Sequence, residues 1–329
     1  MDRIVLAYSG GQETLTAIAW LKEQYAAEIV SVTMDLGQGG VLEDVRDRAL
    51  AAGAARAHVL DLRDAFATRY ILPALKADAV LEGGCPLAVS LGRSLMVEQL
   101  VEIAAMERAD AVAHGVSGGG GRPSSPLSID GMIRSLNPAL TVLAPAGAWA
   151  PAKAQETDRS SRVHANLWGR SIDTDQPGEA FYCLTKDAAH CPDEAAHVEI
   201  AFERGVPTGI NGVAMPLADL IVSLGTIAGA HGVGRVSTVE ERPGGMTTRV
   251  AHEAPAAVLL HAAHTKLRAL ATGADLDRFW QVVSRQYADM IGNGLWFTPL
   301  RDVLDTCVEK VQESVTGTVR LKMFKGAYQ

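Results

Sequence analysis

The run Ile4-Val5-Leu6-Ala7-Tyr8-Ser9-Gly10-Gly11-Gln12-Glu13-Thr14 constrains the fold of this chain more than any other stretch. Ile4, Val5 and Leu6 are apolar and uncharged, as in a parallel strand covered on both faces. Thr14, Ile18 and Leu21 then recur at helical spacing. The Ser9-Gly10-Gly11 break must therefore convert a strand into a helix within a few residues. Gly10 and Gly11 permit a tight turn and let an anion approach the amides of a helix N-terminus, where the helix dipole favours negative charge. Ser9 adds a hydroxyl donor. Taken alone, the run fits a phosphate cradle and a plain β-α turn equally well, and the rest of the chain has to decide between them.

The first half continues in the same alternation. Strand patterns at Glu28 to Met34, Ala57 to Asp61, Ala111 to Ala113 and Thr141 to Leu143 are separated by helical patterns at Leu42 to Ala52, Phe66 to Leu75 and Leu87 to Arg108. Such spacing predicts a doubly wound α/β domain with a parallel sheet, its ligand crevice beyond the carboxyl ends of the strands. Ser9, Asp35 and His114-Gly115 all fall just past such ends. Asp35 is a carboxylate of the kind that magnesium-ATP needs as ligand or acceptor. Gly115 permits close approach of a nucleotide to the backbone, whereas His114 reads as a structural histidine. Ser117 to Ser125, with four successive glycines, is a loop, either a slack connection or a substrate lid.

The second half reads as α+β. Strands are predicted at His197 to Arg204, Val233 to Glu240 and Thr316 to Phe324, a turn at Val206 to Gly212, and helices at Leu217 to Ala230, Ala254 to Thr272 and Leu276 to Gly292. The domains are expected at residues 1–165 and 166–329.

Composition narrows the classes. A net charge of −8 argues against a nucleic-acid partner, and no apolar run has the length of a membrane span. Four scattered cysteines form no disulfide framework, and no leader pattern precedes the first strand, so a cytoplasmic protein is expected. Cys183, His190, Cys191 and His197 lack the ligand spacing of structural zinc sites, and His252-Glu253-Ala254-Pro255 lacks the second histidine of a zinc-protease helix.

Ala7-Tyr8-Ser9-Gly10-Gly11 resembles the pyrophosphatase loop of the N-type ATP pyrophosphatases. The resemblance to one branch, argininosuccinate synthase, recurs at Thr33-Met34-Asp35-Leu36-Gly37-Gln38-Gly39, Ala113-His114-Gly115 and Asn166-Leu167-Trp168-Gly169-Arg170-Ser171. It continues at His231-Gly232-Val233-Gly234-Arg235, Asn293-Gly294-Leu295-Trp296-Phe297 and Thr316-Gly317-Thr318-Val319-Arg320-Leu321. It implies an adenine nucleotide alpha hydrolase-like sheet followed by an α+β synthetase domain, with ATP and Mg2+ as cofactors. Family members adenylate the ureido oxygen of citrulline, releasing pyrophosphate, and aspartate's amine then displaces AMP. Carried over residue by residue, Ala7, Tyr8, Ser9, Gly10, Gly11, Thr14, Met34 and Gly115 would bind ATP, with Ser9, Glu13 and Asp35 catalytic. The partners implied are amino-acid-like small molecules and further copies of the chain, in a dimer or tetramer. A C-terminal helical arm is also implied, and the sequence stops at Gln329 without one.

The amino-acid site departs from the family pattern. Gln12-Glu13-Thr14-Leu15 stands where Leu-Asp-Thr-Ser is expected, so Glu13 keeps the charge and Leu15 lacks the hydroxyl. Cys85 replaces a substrate-touching tyrosine, while Ser90 is kept. Ser117 stands at the start of the substrate loop, but Gly121, Arg122 and Ser125 take the places of Asn, Asp and Arg. Arg162 replaces a serine, Ser171 and Glu240 are kept, and His252 replaces a tyrosine. A site built to hydrogen-bond a polar substrate loses discrimination steeply when those groups go, although arginine can take over carboxylate recognition. These residues lead us to expect an AMP-forming ligase with altered acceptor and amine substrates, serving specialised metabolism. Genuine argininosuccinate synthesis is the first alternative and a non-catalytic ATP-binding paralogue the second. A tRNA-thiolating role for Cys85 is disfavoured by the acidic charge and by the absence of a resolving cysteine.

Overall fold

Strand β1 (Arg3–Ala7) is the centre of a parallel sheet, and the alternation of its side chains explains why. In the computed structural model, which describes residues 1–39, 42, 44–115, 129–143, 165–172, 178–241 and 247–329, Ile4 and Leu6 face one side and Val5 the other. Ile4 and Leu6 pack on helices α1 (Gln12–Tyr25) and α2 (Val45–Ala51) through Ile18, Leu21, Val45 and Ala49. Val5 packs with Val30 and Val32 of β2 (Glu28–Asp35) on Val97 and Leu100 of a later helix. Strands buried on both faces in this way carry no polar alternation, which is why the segment reads as a continuous apolar run.

The sheet is completed by β3 (Arg56–Asp61), β4 (Ala111–Ala113) and β5 (Thr141–Leu143), in the order β3-β2-β1-β4-β5 with every pairing parallel. The chain winds one way from β1 to β3 and the other way from β1 to β4. The switch point therefore lies between the ends of β1 and β4, where Ser9 and His114-Gly115 follow their strands. This sheet belongs to the first of two compact units, residues 1–62, 92–163 and 293–297.

The second unit comprises residues 63–91, 164–292 and 298–329. Its helical entry is α3 (Arg63–Phe66), a π-helical turn (Ala67–Ile71) and α4 (Leu72–Lys76). Helix α5 (Ala88–Glu107) follows, and the boundary between the units falls after its Leu91. The first unit's α6 (Ile129–Leu136) comes next in the chain, after β4. Strands β6 (Ala165–Asn166), β7 (Gly169–Ile172), β8 (Ala196–Glu203), β9 (Val206–Ile210) and β10 (Val213–Ala214) precede α7 (Leu217–Ala230). The unit ends with β11 (Arg235–Glu241), β12 (Thr247–Glu253), α8 (Pro255–Gly292), α9 (Pro299–Gln312), β13 (Gly317–Phe324) and β14 (Ala327–Tyr328). Two antiparallel sheets result, β10-β9-β8-β13-β14 and β11-β12-β7-β6.

Two local readings change. Val206 to Gly212 is not a turn throughout: Val206–Ile210 is strand, and the turns are Arg204-Gly205 before it and Asn211-Gly212 after it, all four residues at positive φ. Pro207 hides the strand in the sequence, and it is tolerated beside a register shift at Ala201/Phe202. Strand β12 and helix α9 are additional elements. The predicted helices 254–272 and 276–292 are both present as the two segments of α8, separated at Gly273, whose φ of 77° and ψ of 169° are not helical.

His261 of α8 is a liability inside this unit. Its ring meets Trp168 edge-on with centroids 5.6 Å apart, and neither ring nitrogen has a hydrogen-bond partner among the described residues. Burial pushes its pKa down to about 4 from an ordinary 6.5. Between those values the unfolded chain takes up a proton that the folded chain does not, so stability falls as pH drops through this window. We expect His261→Phe to remove about 2–3 kcal/mol of the loss between about pH 7 and about pH 4, read from urea midpoints. An unchanged pH dependence would show that the buried imidazole is not its source.

Candidate functional site

The nucleotide candidates Ser9, Gly10, Gly11, Asp35 and Gly115 lie in the first unit. Gly10 has φ 79°, a left-handed conformation that glycine adopts without strain, and it turns the chain out of β1. Gly11 is the N-cap of α1 with extended backbone, and no side chain caps the helix. A fourteen-residue helix thus presents its first-turn amides, which have no intrahelical acceptor, to the end of the sheet. Beside them Ser9 Oγ accepts from Gly11 N at 3.3 Å and lies 3.1 Å from Thr14 Oγ1, whose hydroxyl also reaches Gly11 O at 3.2 Å. Hydroxyls and amides gathered around a helix N-terminus suit an anionic phosphate.

Ala7 ends β1 half-buried. Tyr8 continues the strand hydrogen bonding: its N–H donates to Val32 O, and its carbonyl accepts from Thr33 Oγ1 at 2.9 Å. At the end of β2, Asp35 Oδ1 accepts from Gly37 N at 2.8 Å, and Gln38 clasps the same turn by accepting from Leu36 N and donating to Met34 O. This clasp fixes Met34 and Asp35 at the end of β2. A carboxylate half-buried at a strand end, next to a phosphate-type turn, has the donor chemistry that Mg2+ accompanying ATP requires. Gly115 is exposed at the end of β4. His114 is buried, with Nε2 2.9 Å from Asp130 Oδ1, and burial outweighs that carboxylate to lower its pKa. Sequence reasoning missed Arg48, an exposed residue of α2 whose Nη1 donates to Gly10 O at 3.0 Å. Its position in the helical pattern gave no signal, because only the fold brings α2 to this turn.

The second unit gathers the amino-acid candidates. Cys85 is buried and closes a turn in which Leu81 N donates to Cys85 O. The turn contains Gly83 at φ 79°, where an added Cβ would lie 2.9 Å from Ser237 O of β11. The next residues are held from β6 and the turn after it: Trp168 Nε1 donates to Pro86 O at 3.0 Å, and Asn166 Nδ2 donates to Ala88 O at 2.7 Å. Asn166 Oδ1 also accepts from Trp168 N, so one asparagine both closes the β6–β7 hairpin and pins the first turn of α5, which carries Ser90. Ser171 of β7 lies directly opposite His252 of β12, with Oγ 2.9 Å from Nδ1. His252 Nε2 is 2.9 Å from Thr238 Oγ1 of β11, and burial pushes this histidine down to about 4. Ser171 and His252 thus meet across β7 and β12, while Cys85 and Ser90 lie on segments tied to β11 and to the β6–β7 hairpin.

Glu253, which the sequence offers only within a pattern unlike a zinc-protease helix, has a structural part. Its carboxylate is fully buried and accepts from the amides of Cys183, Leu184 and Thr185 and from Thr185 Oγ1, with Arg170 Nη1 at 3.4 Å. It anchors the chain ahead of β8. The side chains of Glu13 and Glu240, and residues Ser117, Arg122 and Arg162 together with the predicted glycine loop, lie outside the described residues.

Comparison with known proteins finds matches to both halves of the chain. Residues 3–164 match the arginosuccinate synthase N-terminal HUP domain, and residues 162–329 match the arginosuccinate synthase C-terminal domain. The argininosuccinate synthase of Brevibacillus brevis is 40% identical over 99% of this chain and 82% of its own length. That of Rubrobacter xylanophilus is 41% identical over 99% of this chain and 84% of its own length. The Geobacillus kaustophilus enzyme is 39% identical over 98% and 84%. With both halves matched in order and the relatives covered over most of their length, the chain belongs to the argininosuccinate synthase family of AMP-forming carbon-nitrogen ligases.

Proposed function

We propose that the protein makes argininosuccinate from citrulline and aspartate, using ATP and releasing AMP and pyrophosphate, and so serves arginine biosynthesis in the cytoplasm. The observation that carries this reading is identity of about 40% to named argininosuccinate synthases across nearly the whole chain. It favours the ordinary substrates over the altered ones that the departures in the amino-acid site suggest. In this reading residues 1–165 bind the nucleotide and 166–329 form the synthetase domain. The amides after Gly11, the backbone of Gly10 and the hydroxyls of Ser9 and Thr14 hold phosphate oxygens, with Arg48 as a nearby cation. Ala7, Tyr8, Met34 and Gly115 border the nucleotide. Asp35 holds Mg2+, and Glu13 supplies a second carboxylate on α1. Magnesium-ATP supplies the activation of the ureido oxygen. Cys85, Ser90, Ser117, Arg122, Arg162, Ser171, Glu240 and His252 border citrulline and aspartate, and the protein works as a dimer or tetramer.

A second reading, an altered acceptor and amine, is favoured by one feature of the second unit. Where the family pattern calls for two tyrosines, the chain has a buried thiol at Cys85 and a histidine at His252 held between two hydroxyls. A pyrophosphate-release assay with product analysis separates the readings. With citrulline, aspartate and magnesium-ATP we expect argininosuccinate at a turnover of about 1 s⁻¹ or more. Pyrophosphate release only with another ureido or carboxyl acceptor would establish the altered-substrate reading. ATP binding without turnover on any pair would leave a non-catalytic paralogue.

A further inference from the structure

From the hydrogen bonds among Thr238, His252 and Ser171 we infer that His252 is a positioning residue. It orders the Ser171 hydroxyl as a donor, so that this serine takes an acceptor oxygen of the bound substrate, a carboxylate or carbonyl oxygen, and not an ammonium group. The inference rests on the proposed ligase reading only for the identity of that substrate.

The three residues share one face of the β11-β12-β7 sheet. His252 pairs with Ser171 on one side and with Val236 on the other, and Thr238 lies two residues beyond Val236 on the same face. Both ring nitrogens are in use, Nδ1 at 2.9 Å from Ser171 Oγ and Nε2 at 2.9 Å from Thr238 Oγ1. The ring is buried and its pKa is depressed, so it is neutral near pH 7, with one N–H donor and one acceptor nitrogen. Two arrangements of protons satisfy the distances. In the first, Nε2–H donates to Thr238 and Ser171 donates to Nδ1. In the second, Thr238 donates to Nε2 and Nδ1–H donates to Ser171.

Burial decides between them. Thr238 is buried, and its hydroxyl has no other hydrogen-bond partner among the described residues. In the first arrangement its O–H is left inside the protein without an acceptor, an expensive outcome for a buried donor. In the second, that O–H is satisfied by Nε2, and the only hydroxyl hydrogen left over belongs to Ser171. Ser171 is half-buried, so its hydrogen is open to solvent or ligand. The relay runs Thr238 O–H to Nε2, Nδ1–H to Ser171 Oγ, and Ser171 O–H outward. Each bond polarises the next in the same direction. A tyrosine at this position would offer a single hydroxyl of its own, whereas His252 passes the constraint from a buried threonine to a serine on the neighbouring strand.

Nitrogen-15 NMR of histidine-labelled full-length protein at about pH 7 tests the relay without any substrate, with the His252 signals assigned by their loss in His252→Gln. We expect a neutral ring protonated at Nδ1 and bare at Nε2. A ring protonated at Nε2, or at both nitrogens, overturns the proposal. The functional arm compares Thr238→Val with Thr238→Ser. Losing the hydroxyl releases the tautomer, and the KM for citrulline should rise about five- to ten-fold while the KM for ATP is unchanged. Thr238→Ser, which keeps the hydroxyl, should restore both the NMR pattern and the KM. A folded Thr238→Val protein with the wild-type tautomer and wild-type KM refutes the relay. If the wild-type protein makes no argininosuccinate, the proposed reaction fails, yet the NMR arm still decides the tautomer.

Discussion

Replacing Asp78 with Ala is expected to destabilise the protein by about 3–5 kcal/mol, the cost of removing one partner from a buried charged network. Asp78 follows α4 with φ 51°, a left-handed conformation that Asp tolerates better than most residues. Its carboxylate is buried and fully engaged. Oδ1 lies 2.7 Å from His264 Nδ1 and accepts from Thr265 Oγ1 at 2.9 Å, while Oδ2 accepts from Arg268 Nε at 2.7 Å and Trp280 Nε1 at 2.9 Å. Ser284 Oγ donates to its carbonyl at 2.6 Å. The network extends through His264 Nε2 to Gln312 Oε1 of α9, and Gln312 Nε2 returns to Lys76 O of α4. One aspartate therefore joins α4, both segments of α8 and, through His264 and Gln312, α9.

Asp78→Ala deprives Arg268, which is 3% exposed, of its nearest anion and leaves it Asp277, whose Oδ1 is 2.9 Å from Nη2. Asp78→Asn keeps the shape, the tolerance for positive φ and one acceptor oxygen while removing the charge, so the difference between the two variants reports backbone, packing and the remaining hydrogen bonds together. Urea denaturation of both supplies the measurement. A fall of less than about 1 kcal/mol in Asp78→Ala would show that the network contributes no more than a surface pair. The pH dependence has a defined sign. Burial alone would raise the Asp78 pKa, but the charge and hydrogen bonds of His264 and Arg268 outweigh it and hold the carboxyl well below its ordinary 3.8. The stabilisation is therefore complete above that ordinary value and is lost as pH falls through the lowered one.

Replacing Gly10 with Val is expected to weaken ATP binding by at least about 100-fold, or about 2.7 kcal/mol. Gly10 sits at φ 79°, where a β-branched side chain is strained by roughly 1–2 kcal/mol or more. If the turn relaxes to relieve that strain, the Gly10 backbone and the first-turn amides of α1 lose their alignment. If it does not, the valine side chain stands where a phosphate must approach. Calorimetric titration with magnesium-ATP measures the affinity, and circular dichroism checks that the sheet is intact. Unchanged affinity in a folded Gly10→Val protein would remove this turn from the phosphate site.

Much of the first unit was legible in the residues themselves, because its elements are set by local pattern. The apolar run of β1, the glycines of the following turn and the 3.6-residue period of α1 are short-range properties, and the positions just past β1, β2 and β4 follow from strand order. The family resemblance likewise rests on contiguous blocks such as Asn166 to Ser171, and the fold shows why that block is compact: Asn166 and Trp168 hold a hairpin and a helix start together.

What the residues could not disclose are relations between positions far apart in the chain. Nothing in the sequence near Arg48 connects it to Gly10, and nothing near Asp78 connects it to His264, Trp280 or Gln312. Pro207 disguised a strand because its missing N–H is accommodated by a bulge that only the pairing with β8 creates. The sharpest case is His252. Its letter in the sequence marks only a departure from a tyrosine, and only the alignment of β11, β12 and β7 places its two nitrogens against two hydroxyls. Hydrogen bonding is short-ranged and directional, so the partner of a buried polar group is chosen by tertiary register, which local periodicity does not encode.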